Sequence, residues 1–112
     1  MKTSELTGAA LDWAVAKCEG LNPSLFLMQQ GRTQHHYSTD WAQGGPIIER
    51  TCASVFFDIK DASYGGHPEE PWFCEMGDMG GMWHGATPLI AAMRCYVASK
   101  LGDEVEIPKE LT

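Results

Sequence analysis

The sequence predicts an α+β fold, a small antiparallel sheet with two helices packed on one face. Three observations predict it. Residues 8–19 and 88–101 carry apolar side chains at helical spacing between start and stop signals. The run Ser54–Ile59 is rich in Val55, Phe56, Phe57 and Ile59, residues that suit a pleated, half-buried surface. Turn-rich stretches separate the elements, and no repeat or long linker divides the 112 residues, so one domain over 1–112 is expected.

The elements follow in order. Lys2–Leu6 reads as a short edge strand. Thr7 is placed to cap the first helix with its hydroxyl, and Gly20 to end it in a left-handed conformation. Leu11, Ala14, Val15 and Cys18 would face the core, while Asp12, Lys17 and Glu19 would face water. Leu21-Asn22-Pro23 is loop-like, because proline forces its predecessor out of helical geometry. Leu25–Met28 is an apolar run that fits either a strand or a brief helix, and Gln29–Gln34 reads as loop.

Ile47–Arg50 and Ser54–Ile59 read as two strands, with a turn-rich excursion over 61–71. Trp72–Cys74 is a further strand. Gly77–Gly85 has no clear period, with Trp83 on a strand or at its end. Thr87 caps the second helix, and Pro88 occupies its first position, where a missing amide hydrogen is no loss. Leu89, Ile90, Met93, Val97 and Leu101 form its apolar stripe. Lys100 complements the helix dipole and Gly102 ends the helix. Val105 and Ile107 alternate with Glu104 and Glu106, a half-buried strand stopped by Pro108.

Composition narrows the function classes. The formal charge is -7, and the eight basic residues are scattered, which disfavours nucleic-acid binding. No window approaches the ~18 uncharged apolar residues of a membrane span. Glu5 and Asp12 interrupt any candidate signal core after Lys2, so no export is expected. The four cysteines, Cys18, Cys52, Cys74 and Cys95, make no C-x-x-C pair and read as reduced, buried thiols. Of His35, His36, His67 and His84 only the first two are close, and side chains of adjacent extended residues point apart. Neither a metal nor a cofactor is expected.

Residues 9–20 (AALDWAVAKCEG), 38–50 (STDWAQGGPIIER) and 87–108 (TPLIAAMRCYVASKLGDEVEIP) resemble the phage NinX-like family, small proteins of tailed phages and prophages. The three blocks are long and occur in the same order; residues 51–86 resemble the family only loosely. The resemblance implies a phage-encoded protein made in the host cytoplasm, and carries over no catalytic residue.

Two stretches could hold a ligand. In the first, Tyr37 and Trp41 would offer a stacking surface, Ser38, Thr39 and Asp40 would bind sugar or amide groups, and Gly44 and Gly45 would leave room. The same residues would equally make a capped turn, with Trp41 in the core and Gly44-Gly45-Pro46 aiming a strand. The second stretch is the start of the last helix, with Trp83, His84, Gly85 and Thr87 near unpaired amides. An ordinary helix cap is the alternative. Arg94, amid an apolar run, needs an acidic partner: Asp40 or Glu49 within the chain, a ligand phosphate, or another subunit.

No residue pattern marks a reaction centre, so binding is favoured over catalysis. The leading expectation is a homo-oligomeric binder of a small nucleotide-like ligand; the phage resemblance suggests sequestration of a host defence signal. The alternative is a protein-interaction module that docks on a host protein through its acidic surface and exposed Met76, Met79, Met82 and Trp83.

Overall fold

The computed structural model describes residues 1–20, 36–51, 53–57, 69–76 and 82–109. These form a 3-10 turn at Thr3–Glu5, then α1 (Gly8–Cys18), α2 (Trp41–Thr51), β1 (Ser54–Phe57), β2 (Trp72–Glu75), β3 (Trp83–Gly85) and α3 (Pro88–Leu101). The sheet is antiparallel in the order β1-β2-β3, pairing Phe57 with Trp72 and Cys74 with Trp83. The architecture is α+β. The expectations at 21–35, Cys52, 58–68 (with His67) and 77–81 (with Met79) lie outside the described residues.

The last helix organises everything else. α3 packs on all three strands, and α1 and α2 pack on α3. Residues 91–97 are buried without a break, Arg94 among them. The expected stripe is thus an understatement: a sheet and two helices enclose this helix, and its exposed residues, Ser99 and Lys100, come only in the last turn. Thr87 caps it as expected, its Oγ1 accepting from the Ile90 amide at 3.1 Å, and Gly102 ends it with φ 88°. α1 is similarly enclosed over residues 10–16. Thr7 stands at its N-cap, yet its hydroxyl makes no cap bond; its carbonyl accepts from Leu11 at 3.3 Å.

Asp12 does not face water. It is 5% exposed, and its carboxylate accepts from the Ser38 amide at 2.9 Å. Glu19 is half-buried, with its Oε2 accepting from Arg50 at 2.7 Å and from the Tyr96 hydroxyl at 2.5 Å. Only Lys17 of the three lies fully on the surface.

Three other expectations are corrected. Ile47–Arg50 is helical, part of α2. Asp40 caps that helix: Oδ1 accepts from the Ala42 amide at 2.9 Å, and Oδ2 from Gln43 Nε2 at 3.2 Å. Gln43 Oε1 in turn accepts from the His36 amide at 2.8 Å, a relative of the capping box. These bonds overrule the Gly-Gly-Pro signal, although Pro46 inside the helix denies the ladder one donor. Lys2–Leu6 is a 3-10 turn, and residues 105–107 form no strand. The two segments do meet, through a single Lys2–Glu104 bridge and reciprocal Met1–Val105 bonds of 3.0 and 2.9 Å.

Cys74 on β2 and Cys95 on α3 are buried and free; the neighbouring Cys95 thiol, then burial, push the Cys74 thiol up. Cys18 is free and half-buried; burial and the nearby Glu19 push its thiol up to about 11. No helix among the described residues is long and apolar enough to cross a membrane.

Candidate functional site

The turn before α2 and the start of α3 come together. Ser38, Thr39 and Trp41 line a recess of about 190 Å³ with Thr87, Leu89 and Ile90. A glycine makes the approach possible: a Cβ on Gly44 would collide with the Tyr37 carbonyl oxygen and stand 2.7 Å from Leu89 Cδ2. Gly85 acts likewise on the other flank, where a Cβ would stand 2.5 Å from the Ala91 nitrogen. The room at Gly44 is thus filled by the Tyr37 backbone and Leu89, and that at Gly85 by α3.

Each side chain of the recess has a distinct state. Trp41 is 56% exposed, with its ring lying over Gly45. A surface tryptophan of this exposure presents a large flat apolar face to solvent. Ser38 is the opposite case. The residue is 1% exposed, and its hydroxyl has no hydrogen-bond partner among the described residues. Its backbone is held firmly, because the Ser38 amide donates to buried Asp12. Thr87 is committed to capping α3. Leu89 is buried and Ile90 half-buried, so they supply an apolar wall. No charged residue among the described ones lines this recess.

The other site residues expected from sequence go elsewhere. Asp40 is the α2 cap, with both carboxylate oxygens engaged. Tyr37 is half-buried against the core; burial, then Glu19 and Asp12, push its phenol up. Arg94 lies beneath, 2% exposed, and lines neither recess. Its Nε donates to the Leu6 carbonyl at 2.8 Å, and Nη1 to Glu70 Oε2 and the His84 carbonyl, both at 2.7 Å. Its acidic partner is thus Glu70, where the sequence suggested Asp40 or Glu49.

Trp83 and His84 line a second, larger recess of about 790 Å³. Its walls are acidic, with Glu5, Glu70, Asp103 and Glu104 against Lys2. Met82 and Trp83 are half-buried there, and Met76 is 7% exposed in the core, so the expected exposed methionine cluster is not formed by the described residues. Among those residues no group of three or more His, Cys, Asp or Glu is placed to hold a metal ion.

Sequence reasoning singled out Ser38, Thr39, Trp41 and Thr87 as ligand residues but missed Leu89 and Ile90, which it assigned wholly to the core stripe. The signal was available: the first turn of a helix exposes one flank of its own apolar residues. It also missed Asp12, whose partner is 26 residues away.

No curated protein matches the chain. One family model does, that of bacteriophage P22 NinX, over residues 2–100. That span takes in every described element from the N-terminal turn to the last turn of α3, and with it both recesses except Asp103 and Glu104. The chain belongs to the bacteriophage P22 NinX family.

Proposed function

We propose that this protein is a non-enzymatic binder of a small nucleotide-like ligand, held in the recess between residues 38–41 and the start of α3. One observation carries the reading. An exposed tryptophan face stands beside a buried serine hydroxyl without a partner, at the N-terminus of a 14-residue helix. A base stacks on the first, gains a hydrogen bond from the second, and leaves its sugar toward solvent. A volume of about 190 Å³ fits one ring system, with the remainder of the ligand outside. For a member of a phage family, such binding would serve to sequester a host signalling nucleotide.

The test is thermal stability of the purified protein with a panel of nucleosides, nucleotides, cyclic dinucleotides and ADP-ribose derivatives. A ligand at 100 times its Kd raises stability by about 2.7 kcal/mol. The reading fails if no member of the panel shifts the midpoint.

The larger recess supports a second reading, docking of a basic segment of a host protein. Among the described residues, Glu5, Asp103 and Glu104 against Lys2, with Glu70 already paired to Arg94, favour a cationic partner. An arginine-rich peptide should then bind in low salt and lose affinity with Glu104→Lys, whereas nucleotide binding should be unaffected.

A further inference from the structure

A buried hydroxyl without a partner costs the folded protein free energy that an alanine at the same position would not. Ser38 carries that cost at a position with a rigid backbone: its amide is tied to Asp12, itself 5% exposed on α1. Nothing around it makes the hydroxyl part of the fold's own hydrogen bonding among the described residues. Ser38 is one of the residues that line the recess.

The second observation concerns charge. Among the described residues, the recess has no lysine, arginine or histidine on its walls. The N-terminus of α3 offers less to an anion than most helices do. Pro88 has no N–H, Ile90 gives its own to Thr87 Oγ1, and Ala91 gives its own to the Thr87 carbonyl, which leaves the Leu89 amide. One amide and one hydroxyl match an uncharged donor-acceptor edge. A phosphate, with three or more strong acceptor oxygens and a double charge, needs more donors or a cation.

We infer that Ser38 is a specificity-determining residue that contacts the ligand, and that the group it receives is an uncharged planar one, the amide-bearing edge of a nucleobase, with any phosphate left in solvent. This rests on the nucleotide-like reading above and narrows it. Trp41 supplies the stacking face, Ser38 the hydrogen bond, and Leu89 and Ile90 the apolar wall.

Titration calorimetry with the four common ribonucleosides, their 5′-monophosphates and inorganic phosphate tests it. At least one nucleoside should bind within about threefold of its monophosphate, with no competition by millimolar phosphate. Ser38→Ala should weaken that nucleoside about five- to tenfold, as expected for one lost hydrogen bond, while the free variant is as stable as the parent or more so. Affinity that rises more than about tenfold on adding phosphate, with competition by inorganic phosphate, would overturn the inference and leave the nucleotide reading standing. Unchanged nucleoside affinity in Ser38→Ala, or a lowered melting point of the free variant, overturns it too. No binding of any nucleoside or nucleotide removes both.

Discussion

Arg94 and Ser38 are both buried polar residues, and the protein treats them in opposite ways. Arg94 is surrounded by acceptors: a carbonyl from the joint before α1, a carbonyl from β3 and the Glu70 carboxylate. Ser38 has its amide satisfied and its hydroxyl idle. Desolvation is repaid in the first case and not in the second. Partners therefore separate a group that holds elements together from a group that takes no part in the fold's hydrogen bonding among the described residues. Burial does not make that distinction, and neither does residue type.

The largest test of this contrast is Arg94→Met. It removes the cation that joins α3 to β3 and to the start of α1, and leaves Glu70 and two carbonyls without it. A loss of about 3–5 kcal/mol in urea denaturation is expected; a neutral outcome would mean that the bonds to Arg94 are dispensable. Gly44→Ala comes next. Its Cβ collides with the Tyr37 carbonyl and Leu89, so about 1–3 kcal/mol should be lost, together with the shape of the recess. Ser38→Ala should go the other way, gaining on the order of 1 kcal/mol in the free protein.

A third polar group stands between the extremes. The Tyr96 hydroxyl donates to Glu19 and accepts from Arg50 at 3.2 Å, on the half-wet side of α3. Burial, the hydrogen bond to Glu19 and its charge push the Tyr96 phenol up to about 12 from the usual 10. A raised value means that the folded state holds the proton more tightly. This contribution is therefore complete below pH 10 and is lost as the pH rises through 12. Tyr96→Phe should flatten that alkaline limb in pH-dependent melting.

The smallest effect on stability is expected at Trp41. It is 56% exposed, so Trp41→Ala should change stability by no more than about 0.5 kcal/mol, yet remove nucleoside binding. Unfolding of that variant would place Trp41 with the structural residues.

The legible parts of the sequence were those with local causes. Thr87-Pro88 at the front of α3 and Gly102 behind it bracket the helix within one turn, and the structure has it at Pro88–Leu101 as read. The Val55-Phe56-Phe57 run and Trp72-Phe73-Cys74 are strands for similarly local reasons. α2 was misread because Gly44-Gly45-Pro46 is a strong turn signal, whereas the Asp40–Gln43 cap and the fit of Gly44 against Leu89 are weaker or non-local. Of the candidate site, Ser38, Thr39, Trp41 and Thr87 were legible as small polar and aromatic residues near turns and a cap. Their separation from Trp83 and His84 was not, since nothing in adjacent residues tells which side of β3 opens to which recess.

The chain alone determined the first and last helices, the β-rich segments, the acidic balance and the family resemblance, because start and stop signals, side-chain periodicity and composition act within a few residues. Tertiary packing alone decided that Asp12 is buried, that Glu70 pairs with Arg94 and that Ser38 lines a recess with the start of α3. The first two of those outcomes join groups 26 and 24 positions apart and the third joins groups farther apart still, where the free energy of desolvation and close contact outweighs local preference.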